Sequence, residues 1–365
     1  MNRTINFFVS PMFILLTVGI SYFYFTITGY VGGDKISRDL LILGSIVFLM
    51  SIFLFSRKFP TIEISDKIAR KISFICTIML GLVSLYMFVI SEYSFTRFVD
   101  DRFSIPGFGI ISSLFTVVSV LGISVIWKFE GFILKSIYLF FGIFVGISVG
   151  GKGFFLPMLF GFSLAGLVGI RRDISLFYAV CLLLVTIIAM YFSFLYSDAS
   201  GAGVMNILNN RIFYAADAVV WVNQLSLFDI EFFPITAGTF AADIFLRFVD
   251  LRINPRSLGA EIVYLVYGAD NGAGPNANLP ILAYLVNQGK MLSSTFFIAT
   301  VMVLLTMVRN FSFIRLQKAG SAQIFFAVAT FMIPSAIIDL VVYLQMVFWL
   351  MVIYAMCSVS TSRDR

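Results

Sequence analysis

Runs of about twenty mostly apolar residues, broken by short polar stretches, recur along most of this chain. A helix that crosses a bilayer needs about 20 such residues, because in lipid the backbone must satisfy its hydrogen bonds internally. This pattern predicts spans at roughly 7–28, 39–56, 72–91, 107–127, 132–149, 154–170, 174–196, 290–309, 320–337 and 340–359. Pro334 and Asp339 fall at the junction of the last two, which can also be read as one kinked region. Between 197 and 289 the pattern changes. Polar residues return at helical spacing. The predicted organisation is a transmembrane bundle of about seven spans over 1–196, one large extramembrane loop over 197–289, and C-terminal transmembrane helices over 290–365. The fold class is an all-α polytopic integral membrane protein. The first run, from Phe7 to Ile27, is too long for a signal-peptide core and lacks a small-residue cleavage site, so it reads as an uncleaved span.

Composition agrees with this. Apolar residues make up 60% of the chain and charged residues 12%, against about 45–50% and about 25% in soluble domains. Three cysteines, Cys76, Cys181 and Cys357, sit inside apolar runs and read as small hydrophobes. There is no histidine. That removes Ser-His-Asp and Cys-His catalysis, histidine bases and histidine metal sites from consideration.

Charge placement gives an orientation. With a cytoplasmic N-terminus, Arg3, Arg57, Lys58, Lys67, Arg70, Lys71, Lys128, Lys135, Arg171, Arg172, Arg309, Arg315, Lys318, Arg363 and Arg365 all fall inside. The short outside loops hold only Lys35, Arg38, Arg97, Arg102 and Lys152. Five further basic residues belong to the long segment or its edge, which the positive-inside rule does not count. Both termini are therefore expected in the cytoplasm and the long loop on the periplasmic face. The formal charge of +6 is an orientation signal, and nucleic acid is not expected as a partner. No repeated halves are evident, and the long loop is too rich in Phe, Leu, Ile and Val for a disordered linker.

Within the loop, Val204–Leu225 makes an amphipathic helix when plotted at about 100° per residue. Asn206, Asn210, Tyr214, Asp217, Trp221 and Gln224 share its polar stripe, while Arg211 falls on the apolar face with alanines at i+4 and i+7. An arginine there either snorkels or pairs with a carboxylate, or else it meets an anionic ligand. Asp243 and Arg247 have the spacing of a plain helical ion pair. Arg252 and Arg256 lie either side of Pro255, which must end a helix. Two guanidinium forks at a helix break suit phosphate, and they equally suit a solvated loop. Glu261 and Tyr264 follow at i,i+3.

Three other stretches bear on function. Lys152 sits in the glycine turn "SVGGKGFFLP", which lacks Walker A spacing and is either an anion contact or an interfacial anchor. Asp100 and Asp101 are flanked by Arg97 and Arg102 and read as self-neutralised surface charge. "GADNGAGPNANLPILAYLVNQG", Gly268 to Gly289, is polar and turn-rich before it becomes apolar again. Its G-x-G-x-x-A match is not a nucleotide fingerprint, since no strand precedes it. Asn276, Asn278 and Tyr284 offer uncharged hydrogen-bonding groups, and Asn278 also suits a helix cap.

Four of these features together resemble the bacterial O-antigen polymerase (Wzy-type) family, whose members are GT-C-like integral glycosyltransferases. They are the "GGKG" turn, "NNRIFYAADAVVW", "NPRSLGAEIVYLVYG" and "GPNANLPILAYLVNQG". The chain departs from the family in leaving eleven residues between Arg256 and Gly268, where some members have ten. The resemblance implies about ten spans in a bacterial inner membrane. It also implies polymerisation of undecaprenyl-diphosphate-linked oligosaccharide repeat units for lipopolysaccharide, with a chain-length regulator as an associated protein. On this reading Lys152, Arg211, Arg252 and Arg256 bind diphosphate, and Arg211 stabilises the departing charge. Asp217 or Glu261 serves as base. Tyr214, Tyr264, Asn276 and Asn278 contact glycan, with Tyr284 as a further sugar contact, and neither metal nor cofactor is expected. The competing readings are an O-antigen ligase-like transferase, whose family resemblance includes a histidine this chain lacks, a lipid-linked glycan flippase, and a structural partner in an envelope assembly.

Overall fold

The computed structural model describes residues 64–90, 107–148, 155–165, 286–316, 322–338 and 340–362, with Ile62, Ala283, Tyr284 and single positions at 20–49, 239, 242, 261 and 264. No strand occurs among the described residues, so the described architecture is all-α. The helices are α1 (Asp66–Ile90), α2 (Phe108–Phe129), α3 (Phe132–Ser148), α4 (Phe155–Ala165), α5 (Met291–Leu316), α6 (Gln323–Phe331), α7 (Ser335–Ile338) and α8 (Leu340–Ser362). Among the described residues, three stretches are long and apolar enough to cross a membrane: Asp66–Ile90, Gly109–Phe129 and Met291–Phe311. Phe132–Ser148, Leu156–Ala165 and Tyr343–Ser358 are shorter apolar helices. The chain is thus a membrane protein by the length and composition of its helices.

The elements follow the apolar runs closely, with two informative differences. α1 begins at Asp66, six residues before the apolar run predicts. Asp66 suits the positive end of the helix dipole, and Lys67, Arg70 and Lys71 are good helix formers, so the helix continues past the end of its apolar part. The region around Pro334 is broken. α6 stops at Phe331, residues 332–334 form a turn, and α7 starts at Ser335. Proline has no N–H to donate, and the turn is closed instead by Ser335 N–H on Met332 O (2.9 Å) and Ala336 N–H on Ile333 O (3.0 Å). The predicted spans over 7–28 and 39–56 are described only at scattered positions, all helical. The predicted span at 174–196 lies outside the described residues.

α2 is the hub. Its Phe115, Val117, Val118, Val120, Leu121, Ile123, Val125 and Ile126 are fully buried, as are Ser113, Ser119 and Ser124. It packs against α1, α3, α4, α6 and α8. α1 turns one stripe to this core, with Ala69, Ile72, Cys76, Leu80, Val83 and Met87 at helical spacing. Phe74, Ile78, Leu82, Leu85 and Val89 stand exposed on its other side, as a helix bounded by lipid requires. α5 is the extreme case, apolar yet only 17% buried over its spanning window.

Close approach occurs where small residues allow it. Gly161 of α4 lies so near α2 that an added Cβ would stand 2.8 Å from both Ser119 O and the Ile123 Cβ. Nearby, Trp127 and Phe162 meet edge-to-face at 4.6 Å and 83°. The α1 and α3 helices run parallel. Ser84 Oγ donates to Phe141 O at 3.3 Å, and the Phe88 and Phe144 rings meet at 6.2 Å.

Candidate functional site

Apart from single helical positions at 239, 242, 261 and 264, the described part of the long segment is its last turn, the end of the glycine- and asparagine-rich stretch. Ala283, Tyr284 and Val286 are helical. The helix is closed by a Schellman arrangement: Gln288 (φ 54°) and Gly289 (φ 67°) take left-handed backbone, and Gly289 N–H donates to Tyr284 O at 2.9 Å. Side chains reinforce the turn. Asn287 Nδ2 donates to Ala283 O at 2.7 Å, and Ser294 Oγ donates to Lys290 O at 2.9 Å and to Ala283 O at 3.4 Å. Lys290 N–H returns to Asn287 O at 2.9 Å, and α5 starts at Met291. Thus "AYLVNQG" serves as a fixed helix-turn-helix corner.

This corner aims Tyr284 inward. Its ring is buried, with 1% exposure, and its hydroxyl donates to Asp39 Oδ2 at 3.3 Å. Asp39 is itself 2% exposed and helical. A buried carboxylate is costly unless donors meet it. The contact joins residues 245 apart in sequence, which is to say the head of the second predicted span and the end of the long loop. At 3.3 Å it lies on the long side of O–H···O bonds.

Other polar groups behave in two ways. Thr77, Ser84, Thr116, Thr300, Thr306, Thr330 and Ser358 donate to a carbonyl one turn back within their own helix. Ser148, 1% exposed at the end of α3 and just before the glycine turn of Lys152, has a hydroxyl with no such partner. Gln345 Oε1 is likewise buried without a hydrogen bond. No group of three or more Cys, Asp or Glu side chains able to hold a metal occurs among the described residues.

Of the residues that the sequence singles out, Glu261 and Tyr264 are described. Both are helical, Glu261 half-buried and Tyr264 exposed. Lys152, Arg211, Tyr214, Asp217, Arg252, Arg256, Asn276 and Asn278 lie outside the described residues, as do Asp100, Asp101, Asp243 and Arg247. Tyr284, read from sequence as a sugar contact, is instead buried against Asp39. Asp39 itself is the residue that sequence reasoning missed. The available signal was a lone carboxylate at the first position of an apolar run, in "RDLLILGSIVFLM". An ionisable residue at the edge of a span is a candidate for function.

No protein-family model matches the chain, and no similar curated protein or solved structure is found.

Proposed function

We propose that this protein is an O-antigen-type polymerase, a glycosyltransferase that joins polyprenyl-diphosphate-linked oligosaccharide repeat units on the periplasmic face of a bacterial inner membrane. The observation that carries the proposal is the distribution of basic residues. On the charge bias, Lys152 shares one side of the membrane with the long loop that carries Arg211, Arg252 and Arg256, and four cationic side chains on that side suit a lipid diphosphate. The Tyr284–Asp39 contact supports this topology. It joins two residues that the alternation of ten spans predicts at the outer face.

The chemistry is a displacement at the anomeric carbon of the donor. The bond from that carbon to the diphosphate oxygen breaks, a bond to an acceptor sugar oxygen forms, and the acceptor proton passes to Asp217 or Glu261. The departing diphosphate carries the developing negative charge, and Lys152, Arg211, Arg252 and Arg256 stabilise it. Tyr214, Tyr264, Asn276 and Asn278 hold glycan, and apolar faces such as that of α5 admit the lipid tail. Since cationic side chains take the place of a divalent ion, purified protein supplied with lipid-linked repeat units extends chains at full rate in excess chelator. Activity lost in chelator and restored by magnesium or manganese contradicts that mechanism.

A further inference from the structure

Asp39 has no part in the chemistry just described, yet it is buried at the head of an apolar run and receives the Tyr284 hydroxyl. Tyr284 in turn is held by the corner that Asn287, Gly289 and Ser294 lock. With exposures of 2% and 1%, neither oxygen is open to a substrate hydroxyl, so the pair does not act as an acid or base in this arrangement. We propose that Asp39 and Tyr284 are a positioning couple. It fixes the corner at 283–290, and with it the start of α5, to the outer end of the second apolar segment, so that lipid-linked glycan meets a junction held in one arrangement. This rests on the function proposed above.

The couple is a specific hydrogen bond between a long-range pair, and three substitutions separate its parts. Tyr284→Phe keeps the ring and removes the donor. Asp39→Asn keeps the shape and an acceptor oxygen and loses the charge. Asp39→Ala removes the acceptor. A bond to a charged acceptor contributes enough that its loss weakens a loop-dependent affinity by about tenfold. A lost ground-state contact appears in KM with kcat little changed. Polymerisation by Tyr284→Phe and by Asp39→Ala therefore shows KM for the lipid-linked repeat unit raised about tenfold. Asp39→Asn retains most of the affinity, and the Asp39→Ala/Tyr284→Phe double variant is no worse than either single one.

A second readout is independent of activity. In a Cys181→Ser background, Ala283→Cys, at a buried position of the corner, reacts slowly with a membrane-impermeant maleimide from the periplasmic side, and adding Tyr284→Phe raises the labelling rate several-fold. Unchanged labelling together with unchanged KM overturns the couple. A wild-type protein that does not polymerise overturns the proposed function instead, while the labelling shift still decides the couple.

Discussion

The Tyr138 hydroxyl of α3 crosses to α2 and donates to Val118 O, and its ring closes over Gly122. Tyr138 is fully buried, and a Cβ at 122 would run into its hydroxyl and stand 3.1 Å from the Cys76 Cβ on α1. Three helices therefore meet at one hydrogen atom's width. Gly122→Ala overpacks this junction and is expected to lower stability by about 1–3 kcal/mol. Tyr138→Phe leaves the packing intact, removes one buried donor, and costs about 1 kcal/mol. Thermal unfolding in detergent checks both. A Gly122→Ala protein as stable as wild type contradicts the packing.

Gln288 holds a left-handed backbone at φ 54°, where a side chain is disfavoured by about 1–2 kcal/mol. Gln288→Gly is expected to stabilise the corner by several tenths of a kcal/mol, up to about 1, because glycine adopts this conformation at no steric cost. The gain appears as slower hydrogen exchange at Gly289, whose N–H closes the turn. Faster exchange contradicts the assignment of Gln288 as the strained residue.

The alternation of spans gives a sharp topology. A reporter active only in the periplasm, fused after Arg102 or within 197–289, is expected to be active. The same reporter fused after Arg57 or Lys128 is expected to be silent. The opposite pattern reverses the orientation read from the lysines and arginines.

Much of the helical architecture is legible in the sequence, because in lipid the apolar run and the helix have one cause. α2, α3 and α8 begin and end within a few residues of their apolar runs. α1 shows the limit of that rule, since its first turns, Asp66 to Lys71, are helical and charged. The break at Pro334 is also legible, because proline states its effect locally. The Asp39–Tyr284 pairing is not. Nothing in either local sequence marks a partner 245 residues away, and hydrogen bonds between helices depend on how the bundle closes. Tyr284 looked like a ligand contact for the same reason: a tyrosine in a polar stretch reads alike whether its ring faces sugar or core. Within the candidate chemistry, the arginines were legible only as side-chain types at helix breaks and on an apolar face.

We propose that this chain polymerises lipid-linked glycan with Arg211 on the diphosphate. The most direct test reconstitutes wild-type and Arg211→Ala proteins at equal amounts with polyprenyl-diphosphate-linked repeat units and resolves the products by length. Wild type is expected to give a ladder and Arg211→Ala single repeat units, a loss of at least about a hundredfold, as for removal of a charge-stabilising donor. A ladder from Arg211→Ala equal to that of wild type contradicts the role of Arg211, and the absence of any ladder from wild type contradicts the function itself.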